Sequence, residues 1–378
     1  MRKARIALSL VAFVLGVALV PSRVAARGGA VLYAGDVAAQ TALARGVADA
    51  DAAMAGDAFA TGSELFDGEW MFGAQMMAAM GLAQVALEHP ELRADHGARV
   101  AACIDRMLSA RGAAFDARSW GEDAVASLDG PRGHVAYLGY LNLAIGMHRR
   151  IDPASRHAAL GERITRALAR RLDASPLGLV ETYPGEIYPV DNTAAIGSLA
   201  LRDRAVHGDK YAATVARATD TMRARYIDEA TGLLVQAVLP DSGAPRDAAR
   251  GSGTLLAVYF LSFADLRLSR ALWDAAAREL DDTVLGFGVV REYPKDAAGR
   301  GDIDSGPIAL GYGVSATGFA LAGARIHGDA ARFRRLYATA QLFGAPITTG
   351  GARRFVTGGP LGDAILLAMT TARPGERS

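Results

Sequence analysis

The stretch "LGLVETYPGEIYPVDNTAAIGSLALRDRAVHG", Leu177–Gly208, crowds Glu181, Glu186, Asp191 and two Tyr-Pro pairs into its first half and then turns small and apolar. The first half reads as a short strand followed by a proline-stiffened loop, because an aliphatic pair after glycine favours extended backbone and proline breaks the ladder. The second half has no broad polar face, which is how a helix buried on several sides reads. Two further stretches share this order, "TGLLVQAVLPDSGAPRDAARGSG" at Thr231–Gly253 and "FGVVREYPKDAAGRGDIDSG" at Phe287–Gly306, with Tyr183-Pro184 and Tyr293-Pro294 in matching places.

Working outward, the same kind of apolar segment begins near Glu69, His134, Asn192, Gly253, Pro307 and Leu361, at intervals of about 50 to 65 residues. Between them lie charged segments of period near 3.6, such as "SRHAALGERITRALARRLD" and "LRLSRALWDAAARELDDTV", each a helix with one wet face. "DVAAQTALARGVADADAAM" near the start is the sixth of these. Six pairs of one buried and one amphipathic helix make an all-α (α/α)6 toroid, an inner ring inside an outer ring, in one domain over residues 27–378. An open solenoid of hairpins would repeat at shorter and more uniform spacing. The long connections join an outer helix to the next inner helix, so they share one rim, while returns such as "RRIDPAS" and "AVHGDKY" are short. Function belongs on the long-loop rim.

Of 378 residues 51% are hydrophobic, enough for a large core. The 41 basic and 40 acidic side chains nearly cancel and are scattered, so no phosphate-tracking surface is present and nucleic acid is excluded as a partner. Met1–Arg5 carries three positive charges, Ile6–Val20 is uncharged, Pro21 ends the run, and Val24-Ala25-Ala26 offers small residues to a signal peptidase. The expectation is a secretory signal over residues 1–26, cleaved near Ala26, with an uncleaved membrane anchor as the alternative. The mature chain would then be exported, periplasmic or secreted, without a membrane span. Cys103 is the one cysteine, which leaves no intramolecular disulfide and no thiolate metal cluster.

The long loops and first turns bring together Glu64, Asp67, Glu69 and Trp70; Trp120, Glu122, Asp123, Asp129 and His134; Glu181, Glu186, Tyr188 and Asp191; and Glu292, Tyr293, Asp302 and Asp304. Aromatic faces beside carboxylates suit a polyhydroxylated ligand, and a carboxylate pair suits general acid and base. Trp70, Trp120, His134, Tyr137, Tyr188, Tyr293 and Tyr312 are the candidate substrate-binding side chains. The competing reading is capping: Asp191 before "NTAAIG", and Ser305 before "GPI" with Pro307 in the first turn, would satisfy helix starts without chemistry. His134 reads either as a proton shuttle or as a polar helix start, and His148, His207 and His327 sit where a charged histidine favours a helix C-terminus. "GDIDSG" is a fragment of a calcium loop lacking its remaining ligands. No cofactor motif is present, and Met71, Met76, Met77 and Met80, at helical spacing, read as core.

The six helix pairs, with "YPGEIYPVDN" and "GDIDSGPIALGYG" at the entrances of buried helices, resemble the (α/α)6 toroid superfamily of six-hairpin glycosidases, sugar epimerases and linalool dehydratase-isomerase-like proteins. The resemblance implies a small-molecule or oligosaccharide substrate in a central funnel, with Glu186, Asp191, Asp304 and Asp67 as candidate catalytic carboxylates by position. It also implies cysteines in the site of a linalool dehydratase-isomerase-like enzyme, whereas Cys103 falls on an outer helix. Three functions follow: a carbohydrate-active enzyme performing glycoside hydrolysis or related acid/base chemistry, a hydro-lyase or isomerase acting on an apolar alcohol, and a non-catalytic glycan-binding protein. Funnel polarity separates the first two.

Overall fold

The computed structural model describes residues 2–53, 59, 63–297, 299, 301 and 305–373. In chain order the first helices are α1 (Arg2–Tyr33), α2 (Val37–Ala53), α3 (Glu64–Glu88), α4 (Arg93–Leu108), α5 (Ala110–Trp120), α6 (Val135–Ile151) and α7 (Ala158–Ala174). They are followed by α8 (Pro189–Ala205), α9 (Ala212–Arg225), α10 (Gly251–Leu261), α11 (Leu266–Glu279), α12 (Val314–Ile326), α13 (Ala330–Phe343) and α14 (Gly359–Thr370). The apolar segments supply the inner ring: α3 packs on α6, α6 on α8, α8 on α10, α10 on α12, α12 on α14, and α14 returns to α3. The (α/α)6 toroid is therefore closed.

Small residues let these helices approach. A Cβ on Gly81 would lie 2.6 Å from Leu367 Cγ, so glycine is required where α14 closes the ring on α3, and one on Gly197 would lie 2.7 Å from the Phe260 carbonyl at the α8–α10 contact. Outer helices bury one stripe only. On α11 the buried set is Leu268, Ser269, Leu272, Trp273, Ala275 and Ala276, and Asp265 starts the helix by accepting the N–H groups of Arg267 and Leu268. α3 is long and apolar enough to cross a membrane, but most of it is buried inside the ring, as a core helix is.

Four two-stranded antiparallel hairpins decorate one rim: β1 (Ala237–Val238) with β2 (Pro245–Asp247), β3 (Asp281–Val284) with β4 (Phe287–Val290), β5 (Ile308–Ala309) with β6 (Tyr312–Gly313), and β7 (Pro346–Thr349) with β8 (Ala352–Phe355). Each lies between the end of an outer helix and the start of the next inner one, as the long loops require. Three local readings change. The fifth inner helix begins at Val314 rather than Pro307, because Pro307–Gly313 forms the β5–β6 hairpin, and Ser305 donates to the Gly306 carbonyl instead of capping a helix. An additional helix, α5, ends at Trp120. α1 runs unbroken through Pro21 and Ala26 and packs along α13.

Candidate active site

At the start of α8, Tyr188 is the residue before the helix, Pro189 fills the first turn where a missing N–H costs nothing, and Asp191 falls third. Asn192 holds the preceding strand-like segment across this start, accepting the Val180 N–H at 2.7 Å and donating to the Val180 carbonyl at 3.0 Å. Asp191, 9% exposed, accepts the Tyr140 hydroxyl on Oδ1 at 2.6 Å and the Thr182 hydroxyl on Oδ2 at 3.0 Å. Both are charge-assisted bonds to a carboxylate, and neither caps the helix. The next residue, Tyr183, donates to Glu69 Oε1 on α3 at 2.8 Å. Thr182 and Tyr183 thus tie together two carboxylates carried by α8 and α3, on either side of α6, which contributes Tyr140. The Tyr140 ring lies 5.4 Å from Phe260 of α10, so four inner helices converge here.

The repeat puts Glu292 in the slot that Thr182 occupies, each one residue before a Tyr-Pro pair. Glu292 is fully buried; its Oε1 accepts the hydroxyl and N–H of Ser252 at the start of α10, with Arg250 Nε 3.6 Å away. Its other oxygen lies against Gly313, where a Cβ would come within 2.4 Å. Farther out on the rim, Tyr183-Pro184-Gly185-Glu186 is a turn closed by the Glu186 N–H on the Tyr183 carbonyl at 2.9 Å, with Gly185 at φ 75°. Glu186 Oε2 accepts the Tyr188 hydroxyl at 2.6 Å, and Arg246 donates to that hydroxyl at 3.1 Å while lying over the ring. Burial, with the Glu186 carboxylate beside it, pushes the Tyr188 phenol up to about 12.

The remaining sequence candidates divide. Asp67 and Trp70 stand half-buried on α3 beside Glu69, and Tyr293 is half-buried with Gly299 against its ring. Asp304, with Asp302 and the rest of "GDIDSG" as far as Asp304, lies outside the described residues apart from Gly301. Tyr137 belongs to the core: it stacks on Phe72 at 4.9 Å and donates to the Met107 carbonyl of α4 at 3.0 Å. His134 is completely buried at φ 51°, Nδ1 2.7 Å from Asp116 and Nε2 3.2 Å from Glu122, with Trp120 packed on its ring at 4.6 Å. Both ring nitrogens are engaged, and burial raises the Asp116 carboxyl, with His134 opposing the shift. Tyr312 faces outward on β6, donating to Asp282 at 2.8 Å under the Arg291 guanidinium.

Hydrogen bonds bring Tyr140, Thr182, Tyr183, Glu69 and Asp191 together, and of these Glu69 and Asp191 stood out in sequence as rim carboxylates, whereas Glu292 is held apart on Ser252. The spacing of Tyr137 and Tyr140 carries the missing signal weakly, since residues three apart share a helix face, and only the neighbouring elements send Tyr137 to the Met107 carbonyl and Tyr140 to Asp191. A cavity of about 460 Å³ opens beside this rim against Gly133, Arg171 and Glu181 at the end of α7, but Asp191, Glu69 and Glu292 do not line it. Among the described residues no group of three or more His, Cys, Asp or Glu is arranged to hold a metal ion.

No curated protein matches this sequence. In fold it is similar to the unsaturated glucuronyl hydrolase of Bacillus sp. GL1, described as responsible for the degradation of glycosaminoglycan, with a TM-score of 0.50 and 15% identity over 79% of this chain and 85% of that one. A GH76 alpha-mannanase of Bacteroides thetaiotaomicron gives a TM-score of 0.48 and 10% identity over 79% of this chain and 84% of that one. The first likeness, at that identity, is one of fold. The sequence profile of the linalool dehydratase/isomerase family matches residues 138–358, from α6 to the loop before α14. That span holds Tyr140, Thr182, Tyr183, Asp191 and Glu292 and is more than half of the chain, which therefore belongs to the linalool dehydratase/isomerase family.

Proposed function

We propose that this toroid is an acid/base enzyme that removes, adds or moves a hydroxyl group on an apolar alcohol. The observation that carries this reading is the pair of tyrosine–carboxylate contacts, Tyr140 to Asp191 and Tyr183 to Glu69, joined through adjacent residues Thr182 and Tyr183. Membership in the linalool dehydratase/isomerase family supports the substrate class. Cys103 is buried on the outer helix α4, so the chemistry rests on carboxylates and phenols.

In the dehydration direction the Tyr140 phenol turns its proton from Asp191 to the departing hydroxyl, and Glu69 takes a proton from the adjacent carbon. The C–O and C–H bonds break, a C=C bond forms, and one water leaves. Tyr140 then regains a proton from water and Glu69 gives its proton up to water, which closes the cycle, and the reverse sequence hydrates an alkene. Asp191 and Thr182 set the orientation of Tyr140, and the Phe260 ring beside it excludes water from the carbocation-like centre. Loss of a positioned acid or base costs roughly 100- to 10,000-fold in rate.

A second reading, a carbohydrate-active enzyme, is favoured by one feature, the polar outer rim of Glu186, Tyr188 and Arg246, whose donors and acceptors suit a hydroxyl-rich ligand. Incubating the full chain with tertiary and primary prenyl alcohols and, separately, with neutral and uronic oligosaccharides decides between them. The proposal expects alkene or rearranged alcohol by gas chromatography–mass spectrometry. Release of reducing sugar with no change in the alcohols would replace it with the carbohydrate reading, and ligand-induced thermal stabilisation without any product would point to a binding protein.

A further inference from the structure

The proposed chemistry says nothing about where the protein sits, and the distribution of exposed apolar side chains does. Among the described residues, every large apolar side chain left exposed, Val37 apart, lies on α1 or between the last turn of an outer helix and the start of the next inner one. Two hairpin tips are unusual. Leu285 joins β3 to β4 at φ 50° and is 58% exposed, and Leu310 joins β5 to β6 at φ 54° and is 93% exposed. Left-handed turn positions normally go to Gly, Asn or Asp, and a bulky residue there costs free energy. Leucine at both tips thus sets exposed apolar surface on this rim at a conformational cost. Val314, Phe343 and Ile347, exposed by 60%, 64% and 51%, extend the same rim.

α1 emerges at this rim. It runs antiparallel to α13, since Tyr33 meets Phe333 while Gly28 and Gly29 meet Tyr337, so its N-terminal half projects past the end of α13 that carries Phe343. A Cβ on Gly286 would lie 2.3 Å from Ser22 Oγ, which sets the β3–β4 tip against α1 at the point of exit. From Ser22 to Tyr33 the helix belongs to the body: Ser22 and Leu32 are buried, and Arg325 donates to the carbonyls of Leu32 and Tyr33. A cut near Ala26 would fall inside this docked segment. Residues 6–21 carry no charge between Arg5 and the docked Ser22, and 16 helical residues rise about 24 Å, which spans a hydrocarbon core of about 30 Å once the bilayer thins and the flanking arginines reach to the headgroups.

We infer that α1 is retained as a membrane anchor and that the rim bearing Leu285, Leu310 and Phe343 rests on the lipid bilayer, with the entrance of the inner ring facing the membrane. The positive charges of Met1–Arg5 orient the anchor with its N-terminus in the cytoplasm and the toroid on the exported side. The docking is independent of the reaction proposed above; an apolar alcohol would simply partition into the same lipid.

Two measurements test it on the full chain. Intact-mass analysis of a carbonate-washed bacterial membrane should find the chain still carrying residues 1–26, and a soluble product beginning near Arg27 would overturn retention. For the rim, nitroxide labels on L285C and L310C, with D209C on the short-loop rim as the control, are read in phosphatidylethanolamine/phosphatidylglycerol vesicles by relaxation with oxygen and with a nickel chelate. The buried Cys103 leaves the introduced thiol as the labelling site. Oxygen-dominated relaxation at 285 and 310 with nickel-dominated relaxation at 209 is the expected result. Nickel-dominated relaxation at all three positions would show a tethered toroid standing clear of the lipid and would overturn the docking.

Discussion

Asp191 and His134 look alike in sequence, each a polar residue at the start of a buried helix, and the structure gives them opposite surroundings. Asp191 turns away from the helix start to take two hydroxyls, from Tyr140 and Thr182, while His134 is enclosed between Asp116 and Glu122. Nothing in the spacing distinguishes the two, because the deciding partners come from other elements: α6 and the strand-like loop for Asp191, α5 for His134. The consequences differ accordingly. Asp191→Asn keeps the shape and should lower kcat by roughly 100-fold or more with little change in Tm. His134→Ala strips the buried Asp116 carboxylate of its partner and should cost roughly 3 kcal/mol in a urea titration, leaving kcat per folded molecule unchanged. A large kcat loss in folded His134→Ala would return that histidine to the chemistry.

Helices announced themselves through period and composition, but what happens at their ends did not. The apolar run from Pro307 reads as one helix, yet its first residues pair as β5 and β6 around Leu310-Gly311, because a turn with two positive-φ residues outcompetes helix there. Pro21 reads as the end of an apolar run, yet α1 tolerates it and continues to Tyr33, where packing on α13 supplies what local propensity lacks. His148 and His327, read as charged partners of helix C-termini, are buried and held against Ser155 and Ser269 instead. Burial lowers both, and His327 falls to about 4. Since the unfolded chain takes up these protons near pH 6.5 and the folded chain does not, stability present above that pH is lost as the pH falls toward 4. His327 alone contributes up to about 3 kcal/mol of this change. By chemical denaturation the wild type should therefore lose more stability between pH 7.5 and 5 than His327→Gln does, and equal pH slopes would show that the histidine titrates normally in the fold.

At the scale of the whole molecule, six repeats were legible as a count, and their closure was not, because closure depends on contacts between the first repeat and the last. Gly81 against Leu367 and Ala368 is one such contact, and Gly81→Val should cost roughly 1–3 kcal/mol by overpacking, read as a lower Tm; an unchanged Tm would mean that α3 and α14 separate freely. The curvature of the first three repeats brings Glu69 of the first inner helix over to Tyr183 beside the third, so the candidate site depends on three consecutive repeats packed together. The most direct test of that site follows oxygen. With a tertiary prenyl alcohol in ¹⁸O-labelled water, reversible C–O cleavage by the full chain should place ¹⁸O in recovered alcohol, and Asp191→Asn and Tyr140→Phe should each slow the exchange by roughly 100-fold or more. Alcohol that returns unlabelled from the wild type, or exchange that both variants leave untouched, would contradict the account.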